Sequence, residues 1–178
     1  MKYVALLRGI NVGGNNRVSM QELKVLFEKA GMEQPRTYIN SGNVLFGSKL
    51  TSKAKIAATV EAAFKTTLGF GVSILIFSGD EITAINKALP TDWSNDGAMK
   101  SDVIFLAPAI DKPSIVNELT IKSGIDDARY VPGAILWGMD RKFATKSGLY
   151  KLVGAPIYKQ MTVRNCNTLR KLASLLED

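Results

Sequence analysis

The order of strand-like and helix-like patterns is the feature that most constrains the fold of this chain. Residues 2–8 are almost continuously apolar, which predicts a strand covered on both faces. Ser19 and Glu22 have the spacing of a capping box and open a helix with one apolar stripe. Along residues 1–78 the patterns predict a strand (2–8), a helix (19–30), two strands (36–39 and 44–46), a helix (52–68) and a strand (72–77). This βαββαβ order is that of the ferredoxin-like unit.

The second half of the chain repeats this order less clearly. Pro132-Gly133 is a turn dipeptide between two strand patterns, and Gly154 and Pro156 interrupt a weakly helical segment. The predicted elements are a strand (102–106), a helix after Pro113, two strands (128–131 and 134–137), the weak helix (147–158), a short extended run (160–163) and a C-terminal helix. The halves share no clear sequence identity, so the element order alone indicates a duplication.

These patterns predict an α+β fold of two ferredoxin-like βαββαβ subdomains plus a C-terminal helix. A helix that opens with a capping box at Ser78 and Glu81 should end before Pro90, and the polar stretch that follows it is rich in turn-forming residues. We expect the first half to span residues 1–90, a linker to span 91–100, and the second half with the C-terminal helix to span 101–178.

Histidine is absent from the 178 residues, and Cys166 is the single cysteine. No internal disulfide can form, as is usual in a reducing compartment. Ser-His-Asp and Cys-His catalysis in their usual forms are excluded, and a structural zinc site has no ligand set. The apolar run Val4–Leu7 is too short for a signal peptide or a membrane span. We expect a soluble cytoplasmic protein without a metal, a cofactor or a membrane partner.

The formal net charge is +7, and the charges are unevenly distributed. Residues 1–21, 34–60 and 141–176 contain no acidic residue. The acids concentrate between Asp80 and Asp140. If the fold brings the basic stretches together, they form a positive face that attracts phosphates or nucleic acid. The alternative is a solvated surface that keeps the protein in solution.

The first polar segment, residues 9–16, joins the first strand to the first helix. Gly9 and Gly14 have the glycine spacing of a Walker A loop, but asparagines replace its lysine and its hydroxyl residue. An ordinary nucleotide hydrolase is therefore excluded. Backbone N–H groups beside Arg8 and Arg17 could still bind an anion near the helix N-terminus. A turn that needs glycine for its backbone angles is the alternative.

The second polar segment, Asn40-Ser41-Gly42-Asn43, separates two predicted strands. Its asparagine side chains donate and accept hydrogen bonds, and could read a base edge or a ligand amide. The same residue types also make turns, with Gly42 supplying the positive φ of a tight hairpin. A single bulged strand is a further alternative.

The third polar segment, Arg164–Thr168, opens the C-terminal helix. Asn165 is suited to cap this helix, and Arg164 lies just before the N-terminus, where the helix dipole favours an anion. The segment could form an anion or amide site, or it could simply supply two capping residues and a solvent-facing arginine. Cys166 could be a thiolate at the helix start, but without a histidine base a buried packing role is favoured.

The three polar segments occur in stretches that together resemble one known family. LLRGINVGGNN (Leu6–Asn16), TYINSGNVLF (Thr37–Phe46) and TVRNCNTLRKL (Thr162–Leu172) are similar to stretches of the bacterial family called domain of unknown function 1697. The likeness spans essentially the whole chain. It implies a two-part ferredoxin-like fold in a conserved bacterial protein, and it implies no activity. The shared positions map to Arg8, Gly9, Asn11, Gly13, Gly14, Ser41, Gly42, Asn43, Arg164, Asn165, Asn167 and Thr168.

Two positions depart from the pattern that this resemblance implies. Cys166 stands where the family has the tryptophan of Arg-Asn-Trp-Asn-Thr, which favours packing over an essential thiol. The family also tends to carry a Ser-Lys-Leu sequence ahead of the third segment. Its nearest counterpart here is Ser147-Gly148-Leu149, so a role for that lysine does not carry over to this chain.

The recurrence of three polar segments is hard to explain by turn geometry alone, and we expect one shared polar site built from all three. The leading hypothesis is the binding of an anionic ligand: a phosphorylated small molecule, a nucleotide or a nucleic acid. Arg8 and Arg164 would supply charge, and the Gly9–Gly14 backbone would hold the anion. Asn11, Asn43 and Asn167 would orient the ligand, and Asn40, Ser41, Gly42, Asn165 and Thr168 complete the predicted site. A histidine-independent enzyme of unknown reaction and a structural or protein-partner module are the alternatives.

Overall fold

The computed structural model describes residues 1–11, 16–40 and 42–177. Contacts divide the chain into a first unit, Met1–Ile82 with Ser174–Asp178, and a second unit, Thr83–Ala173. The division falls within a helix, whereas the predicted linker, residues 91–100, lies inside the second unit. Within the described ranges, no helix is long and apolar enough to cross a membrane.

The first unit has the element order predicted from the sequence. Its antiparallel sheet has the strand order β2-β3-β1-β4, which is that of a ferredoxin-like unit. The elements are β1 (Lys2–Arg8), α1 (Met20–Lys29), β2 (Glu33–Tyr38), β3 (Asn43–Gly47), α2 (Lys53–Leu68) and β4 (Ser73–Ser78). The predicted fold class is therefore confirmed for this half.

Local sequence signals explain where α1 begins and what it packs against. The Ser19 hydroxyl accepts a hydrogen bond from the Glu22 N–H at 3.1 Å, and the Ser19 N–H donates to the Glu22 carboxylate at 2.8 Å. This reciprocal pair is the predicted capping box. The buried stripe of α1, which includes Phe27, packs in one core with Phe46 of β3 and Phe64 of α2. The helix is thereby fixed on one face of the sheet.

Two cations hold the end of the C-terminal helix, residues 174–177, in the first unit. The Lys2 ammonium donates to the Leu176 carbonyl at 2.7 Å, and the Arg36 guanidinium donates to the Leu175 carbonyl at 2.6 Å. Carbonyls in the last turn of a helix have no partner within the helix and carry its negative dipole end. Both contacts therefore cap the helix.

The second unit repeats the same strand order. Its antiparallel sheet is ordered β6-β7-β5-β8, and one face packs in a core that includes Ile104, Ile135 and Trp137. The strands are β5 (Met99–Leu106), β6 (Asp127–Val131), β7 (Ala134–Asp140) and β8 (Met161–Asn165), and the short helix α4 is Leu149–Leu152. The division between the units falls within α3 (Gly79–Ala88) and within α5 (Cys166–Glu177), so each of these helices contributes only part of its length to the second unit. The predicted duplication of the strand order is confirmed.

Short 3₁₀ helices take the place of long helices between the strands of the second unit. The helix expected after Pro113 is a six-residue 3₁₀ helix, Pro113–Glu118. The β7–β8 connection contains 3₁₀ helices at Arg141–Lys146 and Pro156–Gln160 on either side of the four-residue α4. Gly154 and Pro156 explain why no continuous helix forms there, because glycine weakens a helix and proline interrupts its hydrogen bonding.

Candidate functional site

The described ends of the first polar segment, residues 9–11 and 16, are bonded to each other directly after β1. Gly9 and Asn11 have positive φ angles of 79° and 54°. The Asn11 N–H donates to the Asn16 carbonyl at 3.2 Å, and the Asn16 side-chain amide donates to the Gly9 carbonyl at 3.2 Å. These bonds fix both ends of the segment. Of the predicted site residues, Gly13 and Gly14 lie outside the described part of the chain.

The Asn11 side chain joins the first polar segment to the second. Its Oδ1 accepts from the Val18 N–H at 2.8 Å, and its Nδ2 donates to the Val18 carbonyl at 2.9 Å and to the Asn40 carbonyl at 3.3 Å. Both amide protons of Asn11 are therefore used within the protein. Asn11 positions two separate segments of the first unit against each other.

Gly42 holds the second polar segment against the end of β1. Its φ is +75°, and its carbonyl accepts a hydrogen bond from the Leu7 N–H at 2.8 Å. A Cβ at this position would lie 2.9 Å from the Leu7 Cβ, closer than such atoms approach. The predicted positive φ at Gly42 is confirmed, and the close approach adds a second reason for glycine.

The remaining residues of the second polar segment are in different environments. Asn43 is fully buried, and its Nδ2 donates to the Tyr38 carbonyl at 3.0 Å. Asn40 is exposed, and Ser41 lies outside the described residues. Ile39, which precedes the segment, has a φ of +49° and is 47% exposed. A β-branched residue in the left-handed region is strained, by about 1–3 kcal/mol, and such strain is typical of functional sites.

An open cleft of about 780 Å³ lies beside the two joined segments. Arg17 lines it and has no ion-pair partner among the residues that the structure describes. Glu22 also lines it, and the hydrogen bonds from Ser19 lower the pKa of this carboxyl, so it stays charged while it caps α1. The cleft is lined by Asn11, Arg17, Val18, Ser19, Met20, Glu22 and Asn40. Its rim thus combines an exposed guanidinium and the Glu22 carboxylate, which is held by Ser19, with amide and backbone groups.

Two arginines, Arg8 and Arg17, flank the first polar segment in the sequence. Only Arg8 was included among the predicted site residues. Arg8 is half-buried at the end of β1, whereas Arg17 is exposed. The sequence placed Arg17 beside the segment but did not give it a role in binding. Its position just before the α1 capping box was the signal that could have included it, because residues preceding an N-cap lie near the anion-attracting end of the helix.

The third polar segment belongs to the second unit and is partly built into its fold. Arg164 is only 8% exposed, and its guanidinium donates to the Thr162 hydroxyl and the Val163 carbonyl, both at 2.9 Å. Desolvation lowers the pKa of Arg164 to about 10, and the neighbouring Tyr158 partly opposes this shift. The alternative reading of Arg164 as a solvent-facing arginine is therefore wrong, because its side chain is buried.

The other residues of the third polar segment open α5. The Asn165 Oδ1 accepts from the Thr168 N–H at 2.9 Å and from the Thr168 hydroxyl at 3.2 Å, so the predicted N-cap is confirmed. Cys166 is fully buried. Asn167 is exposed, and its amide donates to the Asn95 carbonyl at 3.4 Å. The structure thus brings the first and second segments together in one unit and places the third in the other.

Comparison with known proteins assigns the chain to a family. Residues 1–137, more than three quarters of the chain, match the model of the family described as "Protein of unknown function (DUF1697)". The chain belongs to this family. The matched range contains the first two polar segments of this DUF1697 protein, and the third lies beyond it.

A solved structure is similar over nearly the whole length. It is the structure of conserved bacterial protein SP0830 from Streptococcus pneumoniae, with 33% sequence identity, a TM-score of 0.83 and coverage of 98% of each chain. Among curated proteins, none matches this DUF1697 chain significantly. The similarity to the SP0830 structure, which covers 98% of the chain, confirms the fold, including the second unit.

Proposed function

We propose that this DUF1697 protein binds an anionic, phosphate-bearing ligand at the cleft beside its first two polar segments. The observation that carries the proposal is the Asn11 side chain, which joins the two segments through bonds to Val18 and Asn40. A pre-formed contact of this kind lowers the entropy cost of binding, because the ligand does not have to bring Asn11 and Asn40 together. The ligand class is a phosphorylated small molecule, a nucleotide or a nucleic acid.

Each side chain has a distinct role in the proposed site. Arg17 supplies an exposed positive charge, and Arg8 adds charge at the end of β1. Asn40 offers an exposed amide that can orient the ligand. Asn11 and Gly42 hold the loops in place. The net charge of +7 supports an anionic ligand, and the single cysteine supports a cytoplasmic location.

The test is a thermal-shift and equilibrium-binding panel with pyrophosphate, mononucleotides and labelled single-stranded oligonucleotides. The variants are Arg17→Ala and Arg8→Ala, with Lys65→Ala as a matched control because Lys65 is an exposed cation on α2. We expect at least one probe to bind, and to bind at least tenfold more weakly to the arginine variants than to the control. If an oligonucleotide is the ligand, each lost phosphate contact reduces the salt dependence of log K by about 0.7. Equal binding by all three variants would refute the site.

The third polar segment enters the proposal through a separate variant. Asn167→Ala removes an exposed amide and leaves the core intact. We expect unchanged binding of the same probe by this variant, because the residues that line the proposed cleft all lie in the first unit. Weaker binding would contradict the confinement of the binding residues to the first unit.

A structural role for the polar segments is the second candidate function. It is favoured by the engagement of Asn11, Asn43 and Asn165 side chains with atoms of the protein itself. In that case substitutions at these positions lower stability, and no phosphate-bearing probe binds. The same panel therefore separates the two candidates.

A further inference from the structure

The broken β7–β8 connection leaves a second cleft, which lies wholly in the second unit. In the first unit the corresponding connection is the single 16-residue helix α2, whereas residues 141–160 form three short helices. The cleft has a volume of about 190 Å³ and is lined by residues of β5, β8, α4 and both neighbouring 3₁₀ helices. At roughly 10–15 Å³ for each water-sized group, it accommodates on the order of a dozen heavy atoms.

An ion pair on β5 provides the charge of this cleft. Lys100 and Asp102 are two residues apart, so they lie on the same face of the strand. The Lys100 ammonium is 2.6 Å from the Asp102 Oδ2, and Asp102 is only 5% exposed. The Asp102 Oδ1 has no hydrogen-bond partner among the residues that the structure describes. A largely buried carboxylate therefore lines the cleft with one oxygen able to accept.

Exposed apolar side chains form the other side of the cleft. Tyr150 and Val153 are three residues apart on and next to α4, and they are 74% and 59% exposed. Leu149 and Val163, which are more buried, line the same cleft. Large apolar side chains that remain exposed next to a partly buried ion pair mark a surface that gains free energy when a ligand covers it.

We propose that this cleft binds a small zwitterion, an α-amino acid with an apolar side chain. Its ammonium group pairs with Asp102, its carboxylate pairs with Lys100, and its side chain packs against Tyr150 and Val153. A ligand with a single charge is attracted by one member of the ion pair and repelled by the other, whereas a zwitterion complements both. Amino acids such as leucine and phenylalanine have roughly nine to twelve heavy atoms, which matches the available volume.

Asp126 fixes the apolar side of the cleft before any ligand arrives. Its carboxylate accepts hydrogen bonds from the Ser147 hydroxyl and from the Gly148 N–H, immediately before α4. Gly148 itself packs so closely that a Cβ there would lie 1.5 Å from the Thr120 carbonyl oxygen. The start of α4 is therefore held from two sides, and binding does not have to order it.

The test is a calorimetric or NMR titration of the full chain with L-leucine and L-phenylalanine. Leucinamide, which lacks the carboxylate, and 4-methylpentanoate, which lacks the ammonium, are the matched ligands. We expect saturable binding of at least one amino acid, and at least tenfold weaker binding of both matched ligands. No binding of either amino acid, or equal binding of leucine and its two analogues, would overturn the proposal.

Two variants locate the binding. Asp102→Asn keeps an oxygen that can accept from Lys100 but removes the charge, and Val153→Trp fills the mouth of the cleft from an exposed position. Asp127→Asn, an exposed acid on β6, is the control. We expect at least tenfold weaker binding by the first two variants and unchanged binding by the control. Because Val153 is exposed, Val153→Trp should disturb neither the fold nor the Lys100–Asp102 ion pair. Unchanged binding by this variant would therefore place the ligand elsewhere.

Discussion

Replacing Asp126 by alanine should destabilise the second unit more than any other single substitution of an acid in it. The Asp126 Oδ1 accepts from the Ser147 hydroxyl and from the Trp137 indole N–H at 3.1 Å. Its Oδ2 accepts from the N–H groups of Lys122 at 2.8 Å and Gly148 at 2.9 Å. Trp137 is fully buried, and Ser147 and Gly148 are buried as well. Asp126→Ala therefore leaves three buried donors without this acceptor.

The magnitude follows from the cost of buried donors that lose their acceptor. Each one costs about 1–3 kcal/mol, and water entering the space left by the carboxylate recovers part of that cost. The sum is about 3–5 kcal/mol of unfolding free energy at pH 7, which for a chain of this size lowers Tm by on the order of 10 °C. Urea denaturation followed by tryptophan fluorescence measures it, because Trp137 is a direct partner of the carboxylate.

The adjacent Asp127 provides a matched control. Asp127 pairs with Arg129 at 2.6 Å, and both side chains are about half exposed. An exposed ion pair of this kind contributes about 0–1 kcal/mol, so Asp127→Ala should change stability by no more than that. A loss below about 1 kcal/mol for Asp126→Ala, or equal losses for the two variants, would refute the reasoning.

The pH dependence of the same variant gives an independent check. Burial alone would raise the pKa of Asp126, but the hydrogen bonds from Ser147, Lys122, Gly148 and Trp137 outweigh it and lower the pKa from the ordinary 3.8. A carboxyl whose pKa is lower in the folded state stabilises the protein above the unfolded pKa and loses that contribution as the pH falls through the folded pKa. The stability difference between wild type and Asp126→Ala should therefore be constant above about pH 5 and shrink below about pH 4.

Three further predictions concern the first unit. Gly42→Ala should lower the free energy of unfolding, measured by urea denaturation, by at least about 1 kcal/mol more than Gly69→Ala does. Both glycines have a positive φ, but only Gly42 has a neighbour within 4 Å of an added Cβ, so equal losses would contradict the packing argument. Asn11→Ala should lower stability by about 2 kcal/mol and Asn11→Gly by about 1 kcal/mol, since both lose the side-chain bonds and only alanine is strained at a φ of +54°. Arg36→Ala should speed amide hydrogen exchange in the last turn of α5 while lowering global stability by no more than about 1 kcal/mol, and unchanged exchange would contradict the capping role.

The fold of the first unit could be predicted because its signals are local. The Ser19–Glu22 capping box, the positive φ at Gly42 and the apolar run of β1 each depend on a few neighbouring residues. The helices of the second unit were harder to predict because tertiary contacts decide them. The contact of Gly148 with Thr120, and the hydrogen bonds from Ser147 and Gly148 to Asp126, connect residues more than 20 positions apart, and no local pattern specifies them.

The candidate site, too, was predictable where its features are local and not predictable where they depend on tertiary contacts. The polar segments were recognisable from residue types, but the use of both Asn11 amide protons within the protein depends on its distance to Asn40, 29 residues away. The burial of Arg164 likewise depends on what packs around β8 and not on its neighbours in the sequence. The Lys100–Asp102 pair was overlooked because the predicted strand began at residue 102 and left Lys100 in the predicted linker, whereas β5 begins at Met99.

Chemical-shift mapping with pyrophosphate or a mononucleotide tests the central claim most directly. The account predicts saturable perturbation of the Asn11 and Asn40 side-chain amides and of the Arg17 signals, with the α2 signals around Lys65 unchanged. Perturbations confined to exposed lysines, or none up to millimolar ligand, would contradict the claim that the joined polar segments bind an anion.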